Sequence, residues 1–139
     1  MAPAVVDGLD FIYLPSRDVA AEMTVFTDGL GAELVFAIEA FGTRVAQVKL
    51  TGGGPRLLLA GHMEGEAPVV LHRVDDLEAA VAELEERGAE IEGEFGFPHG
   101  PAAALRTPGG QRLAFYELTR PEADERLGGR MDYEPQPAG

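Results

Sequence analysis

The sequence predicts an α+β fold built from two βαβββ modules, and three observations lead to it. The stretch Gly53-Gly54-Pro55-Arg56-Leu57-Leu58-Leu59-Ala60 returns as Gly109-Gly110-Gln111-Arg112-Leu113-Ala114-Phe115-Tyr116: a glycine turn, one arginine, an apolar strand. Each copy closes a longer strand–helix–strand pattern, so one module is written twice. In each, three strands follow the helix with no further helix between them. That favours antiparallel hairpins over the helix-linked crossovers of a doubly wound parallel sheet.

The first module spans residues 1–60. Leu9 to Leu14 is aromatic and apolar and reads as a strand. Pro15 stops it, and Asp18 or Ser16 can cap the next helix through a side-chain oxygen. Val19, Met23, Phe26 and Leu30 recur at helical spacing and predict one apolar face, ended by Gly29 and Gly31. Strands follow over Glu33 to Ile38, Val45 to Leu50 and Arg56 to Ala60, with Phe41-Gly42 in the first turn. Residues 61–68 are the natural linker. Its His62, Glu64 and Glu66 have the chemistry of metal ligands, but a flexible linker does not hold ligands in fixed geometry.

The second module spans residues 69–118. Val69 to Val74 reads as a strand, and Asp75 with Glu78 as a capping-box-like helix start. Leu77, Val81 and Leu84 form the apolar face, Glu83, Glu85 and Glu86 the outer one, and Gly88 the stop. Ile91 begins the next strand, Phe95 to Pro101 reads as a loop, Ala102 to Arg106 as a strand, and Thr107-Pro108-Gly109-Gly110 as the turn into Arg112 to Leu118. Residues 119–139 predict a short helix, with Thr119 as cap and Glu122 three residues on, ended by Gly128-Gly129. The tail with Pro135 and Pro137 is expected to fray. The copies align with Asp18 against Asp76, Phe11 against Val69, and Leu58 against Ala114.

At this length one domain, or two halves sharing a core, is expected. The absence of cysteine excludes disulfides, thiolate metal sites and a catalytic thiol. No apolar run approaches bilayer-crossing length, and Met1 to Gly8 lacks the basic and hydrophobic regions of a signal peptide, so a cytoplasmic protein is expected. Acidic residues outnumber Lys and Arg 24 to 11, for a formal charge of −13, which disfavours nucleic acid as a partner. Gly52-Gly53-Gly54 lacks the Lys-Ser/Thr pair and following helix of a phosphate loop.

Three features together resemble the vicinal oxygen chelate superfamily, the glyoxalase, bleomycin-resistance and extradiol dioxygenase fold. They are the strand followed by the Asp18 helix entry; Val74-Asp75-Asp76-Leu77-Glu78-Ala79-Ala80 through Arg87-Gly88-Ala89; and Thr107-Pro108-Gly109-Gly110-Gln111-Arg112. The resemblance covers about Leu9 to Leu118. It implies that the modules form a cupped mixed sheet with a ligand in the cup. In the family's enzymes it also implies a divalent metal, held by His, Glu or Gln from the first and last strand of each module. Carried onto this chain, those positions are Phe11, Leu58, Val69 and Ala114, and none offers a lone pair. Among their neighbours only Asp10 could bind a metal. No metal and no cofactor is therefore expected.

By strand alternation Tyr13 and Tyr116 share the inward parity of Phe11 and Ala114, as do Arg56, Arg73 and Arg112, while His72 should face the helix layer. An inward arginine could clamp a carboxylate or phenolate. The expected ligand-binding residues are Phe11, Tyr13, Leu58, Val69, Leu71, Arg73, Phe97, His99, Arg112, Ala114 and Tyr116, with Phe97 and His99 closing over the pocket. Three functions stay open. One is a metal-free small-molecule-binding protein, for an aromatic or amphiphilic ligand. For it the bleomycin-resistance branch implies antibiotic resistance by sequestering an antibiotic or another natural product. The second is a lyase, isomerase or extradiol-type dioxygenase, with a relocated metal site or acid–base work by Tyr13, Tyr116 or His99. The third is an interaction module whose cup is filled by its own side chains. The resemblance also implies a homodimer.

Overall fold

In the computed structural model, residues 5–40, 42–63, 65 and 67–136 are described. Phe41, Glu64, Glu66 and Pro137, named above, lie outside them. The first module contributes β1 (Gly8–Pro15), α1 (Val19–Thr24), β2 (Glu33–Ala40), β3 (Thr43–Lys49) and β4 (Arg56–Ala60). The second contributes β5 (Val69–Val74), α2 (Leu77–Glu86), β6 (Ile91–Phe97), β7 (Gly100–Arg106) and β8 (Arg112–Glu117), and a short helix α3 (Ala123–Leu127) follows.

Each module is a mixed sheet with one topology. The first runs β2-β3-β4-β1 and the second β6-β7-β8-β5. The strand before the helix pairs in parallel with the last strand, and the other pairs are antiparallel. The register repeats as well. Phe11 lies opposite Arg56 as Val69 lies opposite Arg112, and Tyr13 opposite Leu58 as Leu71 opposite Ala114. The sequence alignment of the copies is thus reproduced residue for residue in these strand pairs.

Two compact units emerge, one from residues 5–10 and Val69–Arg126, the other from Phe11–Pro68 and residues 127–136. The segment before Phe11 joins the second module's unit, where the Asp7 amide donates to the Arg73 carbonyl at 2.8 Å. Each helix covers one sheet face. Val19, Ala20 and Met23 pack on Ala37, Ala46 and Leu59, and Leu77 and Ala80 on Ala103 and Phe115.

Several local expectations are corrected. Asp18, not Ser16, caps α1, accepting from the Ala21 amide at 3.1 Å. The α2 cap is Asp76, accepting from the Ala79 amide at 3.1 Å, and not Asp75. The repeat alignment had already set Asp76 against Asp18. After α1 the chain widens into a π turn over Val25–Gly29, with the Leu30 amide bonded to the Val25 carbonyl. The extra residue rotates Leu30 off the apolar face, leaving it 59% exposed, while Phe26 still packs. Residues 95–101 are not an open loop, because β6 runs to Phe97 and β7 starts at Gly100. Thr119 lies outside α3, its amide bonded to the His99 carbonyl.

The tail does not fray across its described part. It lies along β2, with the Ala37 amide donating to the Arg130 carbonyl and the Asp132 amide to the Ala37 carbonyl, both at 2.7 Å. Met131 forms a parallel bridge with Ala37, the Gln136 amide reaches the Ala20 carbonyl, and Tyr133 is buried with the Arg44 guanidinium 4.5 Å from its ring centre.

Candidate functional site

Because α1 and α2 cover one face of each sheet, alternation sends every second strand residue to the other, helix-free face. In the first module that face carries Phe11, Tyr13, Leu58, Gln47 and Phe36, and one cross-strand row reads Tyr13–Leu58–Gln47–Phe36. Phe11, Leu58 and Phe36 are buried, and Gln47 is wholly so. Burial also raises the Tyr13 phenol far above its ordinary value.

The same row of the second module reads Leu71–Ala114–Ala104–Gly93, and the next Arg73–Tyr116–Ala102–Phe95. Where the first copy places leucine, glutamine and phenylalanine, the second places alanine, alanine and glycine. A Cβ built on Gly93 would meet nothing within 4 Å, and Phe95 beside it is 39% exposed. The outcome is a shelf floored by small residues, with the Tyr116 and Phe95 rings along one side.

A polar cluster stands at one side of this shelf. Tyr116, 2% exposed, donates its hydroxyl to Asp10 Oδ2 at 2.5 Å. Arg73 Nη1 donates to both oxygens of the same carboxylate, at 3.2 and 3.0 Å. Burial pushes the Tyr116 phenol well above its ordinary range. The Asp10 hydrogen bond and the Asp10 and Asp124 charges act the same way, and Arg73 opposes them. Asp10 therefore accepts while Tyr116 keeps its proton.

Phe97 packs edge-on against Tyr116, ring centres 5.2 Å apart, and stacks on His99 at 4.8 Å. His99 belongs to a short turn rather than to an open loop. It sits buried in the β6–β7 turn, with Nε2 2.8 Å from Asp124 Oδ1. The segment after β8 fastens that turn: the Thr119 and Arg120 amides donate to the His99 carbonyl, and the Arg120 guanidinium to the carbonyls of Phe97 and Pro98. His72 faces the helix layer and stacks on Phe115 at 5.7 Å.

The positions that the resemblance assigns to a metal do not fit one. Phe11 and Leu58 in the first module, and Val69 and Ala114 in the second, are buried hydrocarbon side chains. Asp10 is engaged by Arg73 and Tyr116. Among the described residues no three His, Asp or Glu side chains converge.

Of the expected ligand-binding residues, the second module brings Arg73, Phe97, His99 and Tyr116 into one connected cluster, and Leu71 and Ala114 into the adjoining row. Val69 and Arg112 face each other one row further on. Phe11, Tyr13 and Leu58 share the first module's helix-free face. Sequence reading missed Asp10 as the centre of the cluster, and it missed Gln47. Neither amide atom of Gln47 has a hydrogen-bond partner among the described residues. Such a buried, unsatisfied group costs about 1–3 kcal/mol. Extending the repeat alignment to β3 would have exposed it, since the counterpart of Gln47 is Ala104.

The model of the Glyoxalase/Bleomycin resistance protein/Dioxygenase superfamily matches residues 8–115. Among solved structures, methylmalonyl-CoA epimerase from Mycobacterium tuberculosis is similar at 24% identity and a TM-score of 0.62, over 86% of this chain and 93% of that one. A hypothetical protein from Bacillus halodurans is similar at 17% identity and a TM-score of 0.66, over 78% and 92%. Streptomyces coelicolor methylmalonyl-CoA epimerase is similar at 17% and 0.65, over 82% and 99%. At these identities the likeness shows the fold alone. No curated protein matches the sequence.

Proposed function

We infer that this chain, which belongs to the Glyoxalase/Bleomycin resistance protein/Dioxygenase superfamily, binds a small aromatic or amphiphilic molecule and works without a resident metal ion. The observation that carries the reading is the small-residue row Ala114–Ala104–Gly93, with Tyr116 and Phe95 both in the row beside it. Binding sites for small molecules are mostly apolar with a few polar groups to set orientation, and Arg73 with Asp10 supplies such a group here. Aromatic flanks favour a flat, conjugated ligand. Sequestration of an antibiotic or another natural product is the role that suits such a site.

The test is titration with naphthalene, followed by amide NMR. Shifts are expected at Gly93, Ala104 and Tyr116. Ala104→Phe, which fills the floor, should weaken binding by about tenfold or more while the chain stays folded. Undisturbed binding in that variant, or no binding at the solubility limit, refutes the site.

A second reading draws on the Tyr116–Asp10 hydrogen bond. A buried phenol paired with a carboxylate is a possible acid–base couple for an isomerase. Methylmalonyl-CoA epimerases share the fold, and the measurement is deuterium uptake from solvent at the α-carbon of methylmalonyl-CoA. Uptake that Asp10→Asn abolishes would replace the binding reading with this one.

A further inference from the structure

We propose that the outer edge of β6 docks a basic, extended segment of a partner protein as an added parallel strand. β6 ends the second module's row as β2 ends the first. The two edges match residue for residue. Ala37 lies opposite Ala46 and Glu94 opposite Ala103, and both strands slip register at the same place, between Leu34 and Phe36 and between Ile91 and Gly93. Val35, Ala37 and Glu39 therefore correspond to Glu92, Glu94 and Gly96. On β2 those residues hold the chain's own tail. The Val35 carbonyl accepts from Gly129, Ala37 bonds through both its amide and its carbonyl, and the Glu39 amide donates to Asp132. Counting back from the turn between Phe97 and Gly100, alternation directs the amides and carbonyls of Gly96 and Glu94 away from β7. Among the described residues no hydrogen bond reaches those outward groups.

Glu92, Gly93, Glu94, Phe95 and Gly96 are all exposed, and a Cβ on Gly93 or Gly96 would meet nothing within 4 Å. Another backbone can therefore come close. The bulge is no obstacle, since β2 takes the tail with the same one, and Met131 bridges Ala37 in parallel. Charge selects the occupant. Glu90, Glu92 and Glu94 line this stretch, and among the described residues Arg106 answers Glu92, at 3.2 Å, while Glu94 has no ion pair. A second copy's β6 would set carboxylate against carboxylate, on a chain whose formal charge is already −13. A strand with lysine or arginine beside Glu94 and an apolar side chain beside Phe95 fits instead. In such strand addition the main-chain bonds give affinity and the alternate side chains give specificity. This inference goes beyond small-molecule binding and does not depend on the shelf.

The probe is a capped peptide of alternating lysine and valine with a central tyrosine, titrated into the full chain at low salt. Hydrogen exchange of the Glu94 and Gly96 amides should slow by about tenfold or more, and amide shifts should centre on Glu92 to Gly96. The same peptide with glutamate for lysine, and one methylated on its backbone amides, should each bind at least about tenfold more weakly. Glu94→Lys should reverse the preference in favour of the acidic peptide. Glu94→Pro removes the outward amide without touching the bonds to β7, and should abolish binding. Should that variant not fold, the Glu94→Lys reversal decides. Unchanged exchange at both amides with about 1 mM peptide overturns the proposal. So does equal affinity for the basic and acidic peptides, or for the methylated one. Protection at Glu94 that grows with protein concentration alone assigns the edge to a second copy and overturns it too. Naphthalene binding is read at Ala104, so failure of the shelf and failure of the edge are separate results.

Discussion

Gly100 occupies a place where a side chain has no room. A Cβ built there would run into the Glu117 carbonyl, with the Glu117 carbonyl carbon at 3.0 Å and the Thr119 nitrogen at 3.1 Å, and φ is 157°. Because those obstacles are backbone, they cannot swing aside. Gly100→Ala should therefore destabilise the protein by about 2–4 kcal/mol in urea unfolding. It should also loosen the His99 turn, whose carbonyl holds the next segment. The tyrosines make a second residue-scale prediction. Burial raises Tyr13, Tyr116 and Tyr133 above the ordinary phenol value of 10.0, Tyr133 to about 12. The folded state thus keeps protons that the unfolded state releases. Their contribution is fully present below pH 10 and is lost as pH rises through the folded values. The melting temperature should hold steady up to pH 9.5, on the order of half a unit below that onset, and fall above 10. A melting temperature that is flat through pH 11, roughly one unit past onset, would contradict this burial.

At the scale of elements, two helix caps and one strap set local stability. Asp18→Ala and Asp76→Ala should each cost about 1 kcal/mol, since each removes the acceptor for one otherwise unpaired helical amide. The strap is the tail along β2. This strand ends its module's row and would otherwise present unpaired backbone, a template for association. The tail satisfies Val35 and Ala37, and the Asp132 carboxylate takes the Glu39 amide at 2.9 Å. That amide and the Arg130 guanidinium hold the Asp132 carboxyl below its usual range. This contribution is present above the ordinary carboxyl value and is lost as pH falls through the lowered one. Truncation after Gly129 should abolish hydrogen-exchange protection at Ala37 and Glu39 and promote self-association, readable by light scattering. Retained protection at both amides would show that the strap does not guard this edge.

For the molecule as a whole, charge and duplication matter most. A formal charge of −13 on 139 residues makes self-repulsion appreciable. Salt should raise the melting temperature as the screening length shrinks from about 30 Å at 0.01 M to about 8 Å at 0.15 M. Duplication has left two copies with one register and different fillings. The first packs its helix-free row with large side chains, and the second leaves a shelf. Dialysed protein titrated with Zn²⁺, Ni²⁺ or Mn²⁺ should show no stoichiometric uptake, because the four assigned positions carry hydrocarbon. A tightly held ion would refute that expectation.

The βαβββ repeat, the order of its strands and the parity of Tyr13, Leu58, Ala114 and Tyr116 could be read from the chain alone, but not the hairpin over residues 95–101, whose glycines and prolines look like a loop. Alternation, glycine turns and capping aspartates act over a few residues, so their pattern is written locally. The π turn was not legible, because one extra residue in a helical turn leaves the apolar spacing almost unchanged. Nor was the docking of the tail, since Pro135 and the absence of an apolar run resemble a free end. The chain determined by itself the order of its strands and helices and that the family's ligand positions are hydrocarbon. Only the tertiary structure decided that Asp10 meets Arg73 and Tyr116, 63 and 106 residues away, and that Asp132 meets Glu39 across 93. It alone left Gln47 without a partner among the described residues. Such meetings depend on which strands come to lie side by side, and no short stretch of sequence contains that information.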